Sequence, residues 1–161
     1  MADTDRWGAM ALLAATLVLL GAWPVWRMVE TVPTDAYAQA PELFIQGAET
    51  YAAAHKIGER DGMPLVQPPP GSEIPVIARR FEFWPALELQ AGQSYRIHVA
   101  STDTVHTVVV DGREYSLIPG QVRVVEVTPA SKKTIVIQCG EYCGLGHNRM
   151  RGTVTIAESM H

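Results

Sequence analysis

The chain has 161 residues, of which 47% are hydrophobic and 19% are charged. Its 17 acidic and 13 basic side chains give a net charge of -4, which argues against a protein that binds nucleic acid through excess positive charge. Two cysteines are too few for a disulfide-dense scaffold or a four-cysteine zinc site, and their spacing excludes the C-x-x-C-H haem-attachment motif. They therefore act as one local pair or not at all.

The N-terminal segment from Trp7 to Trp26 contains no charged residue. About 20 residues at a helical rise of about 1.5 Å span roughly 30 Å, the thickness of a bilayer's hydrocarbon core. Tryptophans at both ends fit an interfacial aromatic belt. The pattern predicts a transmembrane anchor within residues 1–30, and a cleaved signal peptide is the alternative. Its small-x-small site, Ala38-Gln39-Ala40, lies well beyond the apolar run and precedes Pro41.

Residues 31–72 are predicted to be a linker. Good helix formers over residues 41–58 predict one short helix there. Pro64 and the run Pro68-Pro69-Pro70, followed by Gly71, then predict a semi-rigid spacer without regular structure.

Residues 73–161 show a different pattern, with short runs rich in Val, Ile, Thr and aromatic residues that alternate with period two. We predict strands at about 74–84, 86–90, 94–101, 105–110, 113–117, 121–128, 133–139 and 152–157. Many short strands with no helical period between them predict an all-β Greek-key sandwich or barrel. In the third strand His98 falls on the polar face, which predicts that it faces solvent.

The last predicted loop, Cys139 to Met150, reads CGEYCGLGHNRM and brings two thiols, one imidazole and one thioether close together in sequence. Soft sulfur and imidazole ligands select copper or zinc over magnesium or calcium. A mononuclear blue-copper site uses one thiolate, two histidines and a weak axial methionine, so this loop has one thiolate too many. Two cysteines four residues apart can instead bridge a pair of copper ions, with one terminal imidazole on each.

His147 supplies one of these imidazoles, and the second must come from outside the loop. His106 is the favoured candidate, because it begins a predicted strand and an upstream strand end commonly lies beside the final ligand loop of a β-sandwich. His98 stays open as the alternative.

Three other interpretations of the cysteine pair compete with a copper pair. Cys139 and Cys143 could form a disulfide, which leaves His147 and Met150 unexplained. Together with His106 and His147 they could bind structural zinc, for which methionine is a poor ligand. A C-x-x-x-C copper chaperone of thioredoxin type would require a βαβ pattern, which this sequence does not show.

The run C-x-E-x-C-G-x-x-H-x-x-M, with His106 upstream, resembles the binuclear copper (CuA) motif of subunit II of haem-copper cytochrome c oxidases. The resemblance covers the chain from about Ile74 onward and implies a cupredoxin-like fold. A single membrane helix is similar to the B-type branch of that family.

The resemblance also implies a role for each matching residue. Cys139 and Cys143 would bridge two copper ions, and Glu141 would contribute its backbone carbonyl rather than its carboxylate. The remaining implied ligands are the terminal imidazoles of His106 and His147 and the weak axial thioether of Met150.

The implied function is that of the electron-accepting subunit of a cytochrome c oxidase. Electrons from cytochrome c or a small copper protein would reach CuA and pass to haem in subunit I, where oxygen reduction is coupled to proton pumping. Haem, the other copper and the oxygen-reducing site would lie in that partner subunit. Trp84, in the aromatic cluster Phe81–Pro85, is the candidate residue for accepting electrons.

The same resemblance implies a bacterial cytoplasmic membrane protein with its copper domain on the periplasmic face. Its partners would be subunit I, other membrane subunits, the electron donor and lipid, and not nucleic acid. Two alternatives remain: the CuA subunit of a nitric-oxide reductase, and a stand-alone membrane-anchored copper carrier or electron-transfer protein.

Overall fold

The computed structural model describes residues 2–29, 35–110, 112–130 and 135–157. The predicted junction between anchor and linker, and the start of the strand predicted at 133–139, lie outside these ranges. The chain divides into two compact units, Met1–Thr34 and Asp35–His161.

The first unit contains helix α1, Ala2–Val29. Its apolar stretch Trp7–Pro24 has a mean hydropathy of 1.6, and none of it is buried within the protein. By length and composition this helix could cross a membrane, as the uncharged segment of the sequence predicts.

The second unit contains helix α2, Pro41–His55, and the strands of two sheets. The strands are β1 (Ala36–Ala38), β2 (Lys56–Arg60), β3 (Met63–Val66), β4 (Glu73–Arg79), β5 (Glu82–Trp84), β6 (Ala86–Gln90), β7 (Tyr95–Ser101), β8 (His106–Val110), β9 (Arg113–Leu117), β10 (Gln121–Val127), β11 (Ile135–Cys139) and β12 (Arg151–Ala157).

Within the described residues, one sheet has the strand order β1-β10-β7-β4-β5 and the other has the order β2-β3-β6-β12-β11-β8-β9. Most neighbouring strands are antiparallel, whereas β4 runs parallel to β7 and β6 runs parallel to both β3 and β12. Alternate residues of β12 are buried, as the period-two pattern requires of a strand with one face in a core. The main core contains Val76, Ile97 and Leu89, together with Cys139 and Cys143. The predicted all-β, cupredoxin-like fold with one N-terminal apolar helix is confirmed.

The segment predicted as a linker joins the compact unit from Asp35 onward, which differs from the domain boundary predicted at residue 73. β1 pairs with β10, and β3 pairs with β6 in the other sheet. Helix α2 buries Phe44, Ala48 and Ala52, which lie four residues apart and so share one face of the helix. The reason for the difference is that this apolar face and the short strands need the sheets as partners, which local composition does not reveal.

His98 is 9% exposed, so the prediction that it faces solvent is wrong. Its Nδ1 lies 2.8 Å from the hydroxyl of Tyr37 in β1, and its Nε2 lies 3.8 Å from the Glu73 carboxylate. The polar face of β7 is therefore covered by a segment that the sequence alone assigns to the linker.

The strand predicted over residues 74–84 is two strands, β4 and β5, which pair as an antiparallel hairpin. Arg80 and Phe81 form the turn between them. This hairpin turn (Arg80-Phe81) lies beside the site described next.

Candidate metal centre

Two neighbouring strands bring the predicted ligands together. β11 ends at Cys139 and pairs with β8, which begins at His106. The loop after β11 closes on itself, since the N–H of Cys139 donates to the carbonyl of Met150 over 3.2 Å. A single 3-10 turn, His147–Arg149, presents the second histidine. Strand pairing therefore joins a histidine and a cysteine far apart in sequence.

The donor atoms of all six predicted ligands lie close together. The two cysteine sulfurs are 3.7 Å apart, and each has its own imidazole Nδ1 at 3.9 Å, His106 beside Cys139 and His147 beside Cys143. The Met150 sulfur lies 3.6 Å from Cys143 Sγ, and the Glu141 carbonyl oxygen lies 3.2 Å from Cys139 Sγ.

The centre of this arrangement is buried. His106 and Met150 are fully buried, and both cysteines are buried as free thiols. The candidate metal-binding atoms of His106, Cys139 and Cys143 lie within 4.8 Å of one another. His147 is half-buried, whereas the Glu141 side chain is exposed and only its carbonyl faces the site.

Burial raises the pKa of the Cys143 thiol to about 11, and the hydrogen bond and charge of Cys139 raise it further. The neutral thiol therefore predominates near pH 7 when no cation is bound. A metal ion must displace this proton to gain a thiolate ligand, so binding releases protons.

The orientation of His106 is fixed by Asp103, three residues earlier in the chain. The Asp103 carboxylate lies 2.7 Å from Nε2 of the ring. An ionised carboxylate has only acceptors, so Nε2 carries the hydrogen and donates it. Nδ1 is then left with a free lone pair directed toward Cys139. An aspartate that holds the outer nitrogen of a metal-binding histidine is a common supporting arrangement in metal sites.

Asp103 is held in place by its own hydrogen bonds. The backbone N–H groups of Arg80 and Thr104 donate to its carboxylate over 3.0 and 2.7 Å. Burial alone raises the pKa of Asp103, but these bonds and the one from His106 hold its pKa below the usual value. Its ionised form is thus the stable one.

The hairpin turn contacts the ligand loop as well. Arg80 Nε donates to the carbonyl of Cys143 over 3.1 Å. The Phe81 ring lies so close to Gly146 that any Cβ there would overlap it. Gly144 has a φ of 135°, a conformation that side chains rarely tolerate. The glycines of the loop therefore admit both the tight turn and the aromatic ring.

Sequence reasoning missed the roles of Asp103, Arg80 and Phe81. The spacing Asp-x-x-His could have indicated the role of Asp103, because the side chains of residues three apart in a short turn can form a hydrogen bond. Nothing in the local sequence indicates the roles of Arg80 and Phe81, since the loop that they contact lies more than 60 residues further along the chain.

Trp84, the predicted electron-accepting residue, is half-buried and packs against both hydrophobic clusters of the unit. Among the described contacts to the ligand loop, those of this hairpin come from Arg80 and Phe81. The role of Trp84 stays a prediction.

The donor set discriminates between kinds of metal site. Two thiolates, two imidazoles and a thioether are soft or borderline ligands, which copper prefers. A single tetrahedral zinc ion would use the cysteines and histidines and leave no role for the buried Met150 sulfur. The two sulfurs lie adjacent, each beside a separate imidazole, and the Met150 thioether lies beside one of them.

Curated relatives match about half of the chain. A cytochrome c oxidase subunit 2 from Thermus thermophilus is 33% identical over 86 residues, or 52% of this chain and 64% of that protein. A probable cytochrome c oxidase subunit 2 from Streptomyces coelicolor is 34% identical over 89 residues, or 54% of this chain and 27% of that protein. The chain thus spans less than two thirds of the length of these relatives. No protein-family model matches it.

A solved structure shares the fold over almost the whole chain. It is a chain from the cryo-EM structure of a heme-copper terminal oxidase dimer, with a TM-score of 0.52 and 18% sequence identity. The alignment covers 95% of this chain and 99% of that chain. This structure bears on the fold alone, and the curated relatives confirm the family resemblance predicted from the ligand loop.

Proposed function

We propose, from this resemblance to subunit II of the haem-copper cytochrome c oxidases, that the chain holds a binuclear CuA centre and is the electron-accepting subunit of a terminal oxidase. It would take electrons from cytochrome c or a small copper protein and pass them to haem in subunit I. Oxygen reduction and proton pumping would occur in that partner subunit. Helix α1 would anchor the chain in a bacterial cytoplasmic membrane with the copper domain on the periplasmic face.

One observation carries this proposal: the symmetric chain of donor atoms from His106 through Cys139 and Cys143 to His147. Each sulfur is near one imidazole and near the other sulfur, at 3.7 to 3.9 Å. Such a set supplies two bridging ligands and one terminal imidazole for each of two ions. Met150 and the Glu141 carbonyl then add one weak donor beside each cysteine.

When bound, copper supplies a one-electron redox couple in this site. The protein's contribution is to hold the ligands in one geometry for both oxidation states. The ligand loop is fixed by β11 and β12 at its ends, by the Met150 carbonyl and by the hairpin turn. A rigid and largely buried ligand set keeps the reorganisation on electron transfer small, since few atoms move with the charge.

The test is metal stoichiometry and electron paramagnetic resonance of the full chain, purified in detergent and loaded with copper. We expect two copper ions per chain and one unpaired electron shared over both. Cys139→Ser and Cys143→Ser remove one bridging sulfur each, and we expect either variant to lose the shared-electron spectrum. One copper per chain with a mononuclear spectrum, or zinc alone, would overturn the proposal.

A second experiment addresses the partner. Tight co-purification of the chain with a haem-containing membrane subunit supports a role within an oxidase complex, whereas isolation as a single copper protein supports a stand-alone carrier. The purified complex would then be assayed with oxygen and with nitric oxide as acceptor, because consumption of nitric oxide alone would indicate a reductase.

A further inference from the structure

The hairpin turn supplies no predicted metal ligand, yet it contacts both segments that do. On one side, the backbone N–H of Arg80 donates to Asp103, whose carboxylate accepts the hydrogen of His106 Nε2. On the other side, the Arg80 side chain donates through Nε to the carbonyl of Cys143. Arg80 thus connects His106, through Asp103, to the ligand loop that follows β11.

We propose that Arg80 is a positioning residue of the metal centre. It holds the ligand loop, Cys139–Met150, against the segment that carries Asp103 and His106, and it raises the reduction potential of the bound metal. This inference rests on the proposed function, because the potential concerns the copper held by that loop. Arg80 binds no metal itself and acts through Cys143 and Asp103.

The effect on the potential follows from charge. A guanidinium stays protonated at all ordinary pH values, and its Nε lies 3.1 Å from the carbonyl of a residue whose sulfur would bridge the metals. Oxidation adds one positive charge to the centre, and a nearby fixed cation disfavours it. The Arg80 side chain is exposed, so solvent moderates the effect but does not abolish it.

The effect on loop position follows from the contacts of the adjacent residue. The Phe81 ring lies against Gly144 and Gly146 on the loop that joins Cys143 to His147. The hydrogen bond from Arg80 and the ring of Phe81 therefore hold consecutive parts of that loop. Loss of the hydrogen bond frees the carbonyl of Cys143 while leaving the ring in place.

Arg79 offers a matched control on the same hairpin. Its Nε forms an ion pair with Glu82 at 2.6 Å, and its side chain is 45% exposed. Arg79→Gln removes the same charge as Arg80→Gln from the neighbouring position. Any effect that reflects overall charge alone must therefore appear in both variants.

The experiment is a redox titration of the copper-loaded full chain in detergent, for the wild type, Arg80→Gln, Arg80→Lys and Arg79→Gln. At a fixed ambient potential we expect Arg80→Gln to raise the ratio of oxidised to reduced centre about three- to tenfold, where tenfold corresponds to 59 mV for a one-electron couple. Arg80→Lys keeps the charge and a donor and should stay within about twofold of wild type, as should Arg79→Gln. Equal shifts in Arg80→Gln and Arg79→Gln, or no shift in either, would overturn the proposal.

A measurement on the wild-type chain covers the case in which Arg80→Gln does not fold. With 15N-labelled arginine, the Nε–H of Arg80 in the metal-free chain should exchange with solvent at least about tenfold more slowly than an arginine Nε–H that makes no such bond. Free exchange at Arg80 would overturn the proposal. A wild type that binds no copper pair would refute the proposed function, and this exchange result would still report on the hydrogen bond.

Discussion

The carboxylate of Asp103 lies 2.7 Å from Nε2 of His106, whereas the other ring nitrogen, Nδ1, faces Cys139. A hydrogen bond at one nitrogen thereby decides which nitrogen is left to bind a metal. The ring is fully buried, and the described hydrogen-bond partner of its Nε2 is the Asp103 carboxylate.

Asp103→Asn should weaken copper binding about 10- to 100-fold, the usual effect of removing a carboxylate that supports a metal-binding histidine. The amide keeps the shape of the side chain but loses the charge that favours hydrogen on Nε2. Competition with a copper chelator measures the change. Glu126→Gln, which removes an exposed carboxylate on β10, is the control and should leave the affinity unchanged; an equal loss in both variants would contradict the assigned role.

Gly146→Ala should lower the free energy of unfolding of the metal-free chain by about 1–3 kcal/mol, the usual range for an overfilled contact. Its new Cβ would overlap the Phe81 ring. Gly47→Ala in helix α2 is the control, because no atom lies within 4 Å of that Cβ and alanine favours a helix by about 0.5–1 kcal/mol. Thermal unfolding followed by circular dichroism compares the two variants with the wild type. A Gly146→Ala variant as stable as the wild type would show that the Phe81 ring moves aside.

Glu141→Gln should leave copper affinity within about twofold of wild type, because substitutions of exposed side chains away from special contacts have small effects. The Glu141 carbonyl lies 3.2 Å from Cys139 Sγ, whereas the Glu141 side chain is exposed. Chelator competition and the electron paramagnetic resonance spectrum test this. Loss of copper in the Gln variant would show that the carboxylate itself takes part.

His98 should make folding sensitive to mild acid. Burial lowers its pKa below the usual 6.5, although Glu73 raises it and Arg96 lowers it to smaller extents. At His98 the unfolded chain then binds a proton more readily than the folded chain. The stability that the neutral His98 ring contributes is therefore complete above about pH 6.5 and is lost as the pH falls. Tyr37 also faces the ring and, with a pKa raised by burial, stays neutral in this range.

The measurement for His98 is the melting temperature between pH 7.5 and 5.5 for the wild type and His98→Gln. We expect the wild type to lose more stability over this range than the variant, since the carboxylates titrate in both. Parallel pH profiles would contradict the assignment.

A chain fragment beginning at Asp35 should fold, whereas one beginning at Glu73 should be markedly less stable. Without helix α2, the small buried cluster that Phe44 and Ala48 form with Ile77, Ala100 and Val122 loses two of its five described members. Exposing buried apolar side chains costs about 25 cal/mol for each Å². Thermal unfolding and binding of a hydrophobic dye compare the two fragments, and equal stability would show that residues 35–72 are dispensable.

Several features of the protein could be predicted from local sequence because their causes are local. The uncharged run of α1 and the alternating residues of the strands depend only on neighbouring residues. The ligand loop is equally local, since Cys139, Cys143, His147 and Met150 fall on one short turn between two strands. That His106 lies beside this loop could also be predicted, because an upstream strand end is expected next to the final loop of a β-sandwich.

Other features depend on partners that are distant along the chain. Residues 35–72 look like a linker by composition, and only their pairing with β10 and β6 and the burial of Phe44 make them part of the fold. His98 occupies a polar strand face, and Tyr37 covers it from a segment 61 residues away. Period-two alternation reports which residues share a face but not what lies over that face.

Local sequence was enough to pick out the candidate metal ligands of the loop Cys139–Met150, because soft ligands at fixed spacing are a property of one short segment. The contacts that support these candidate ligands depend instead on how the strands are arranged in the fold. Asp103 reaches His106 within a turn, but Arg80 and Phe81 reach the cysteine loop only because the hairpin of β4 and β5 lies beside it. Such contacts depend on which strands become neighbours in the folded protein, and no local sequence pattern specifies that.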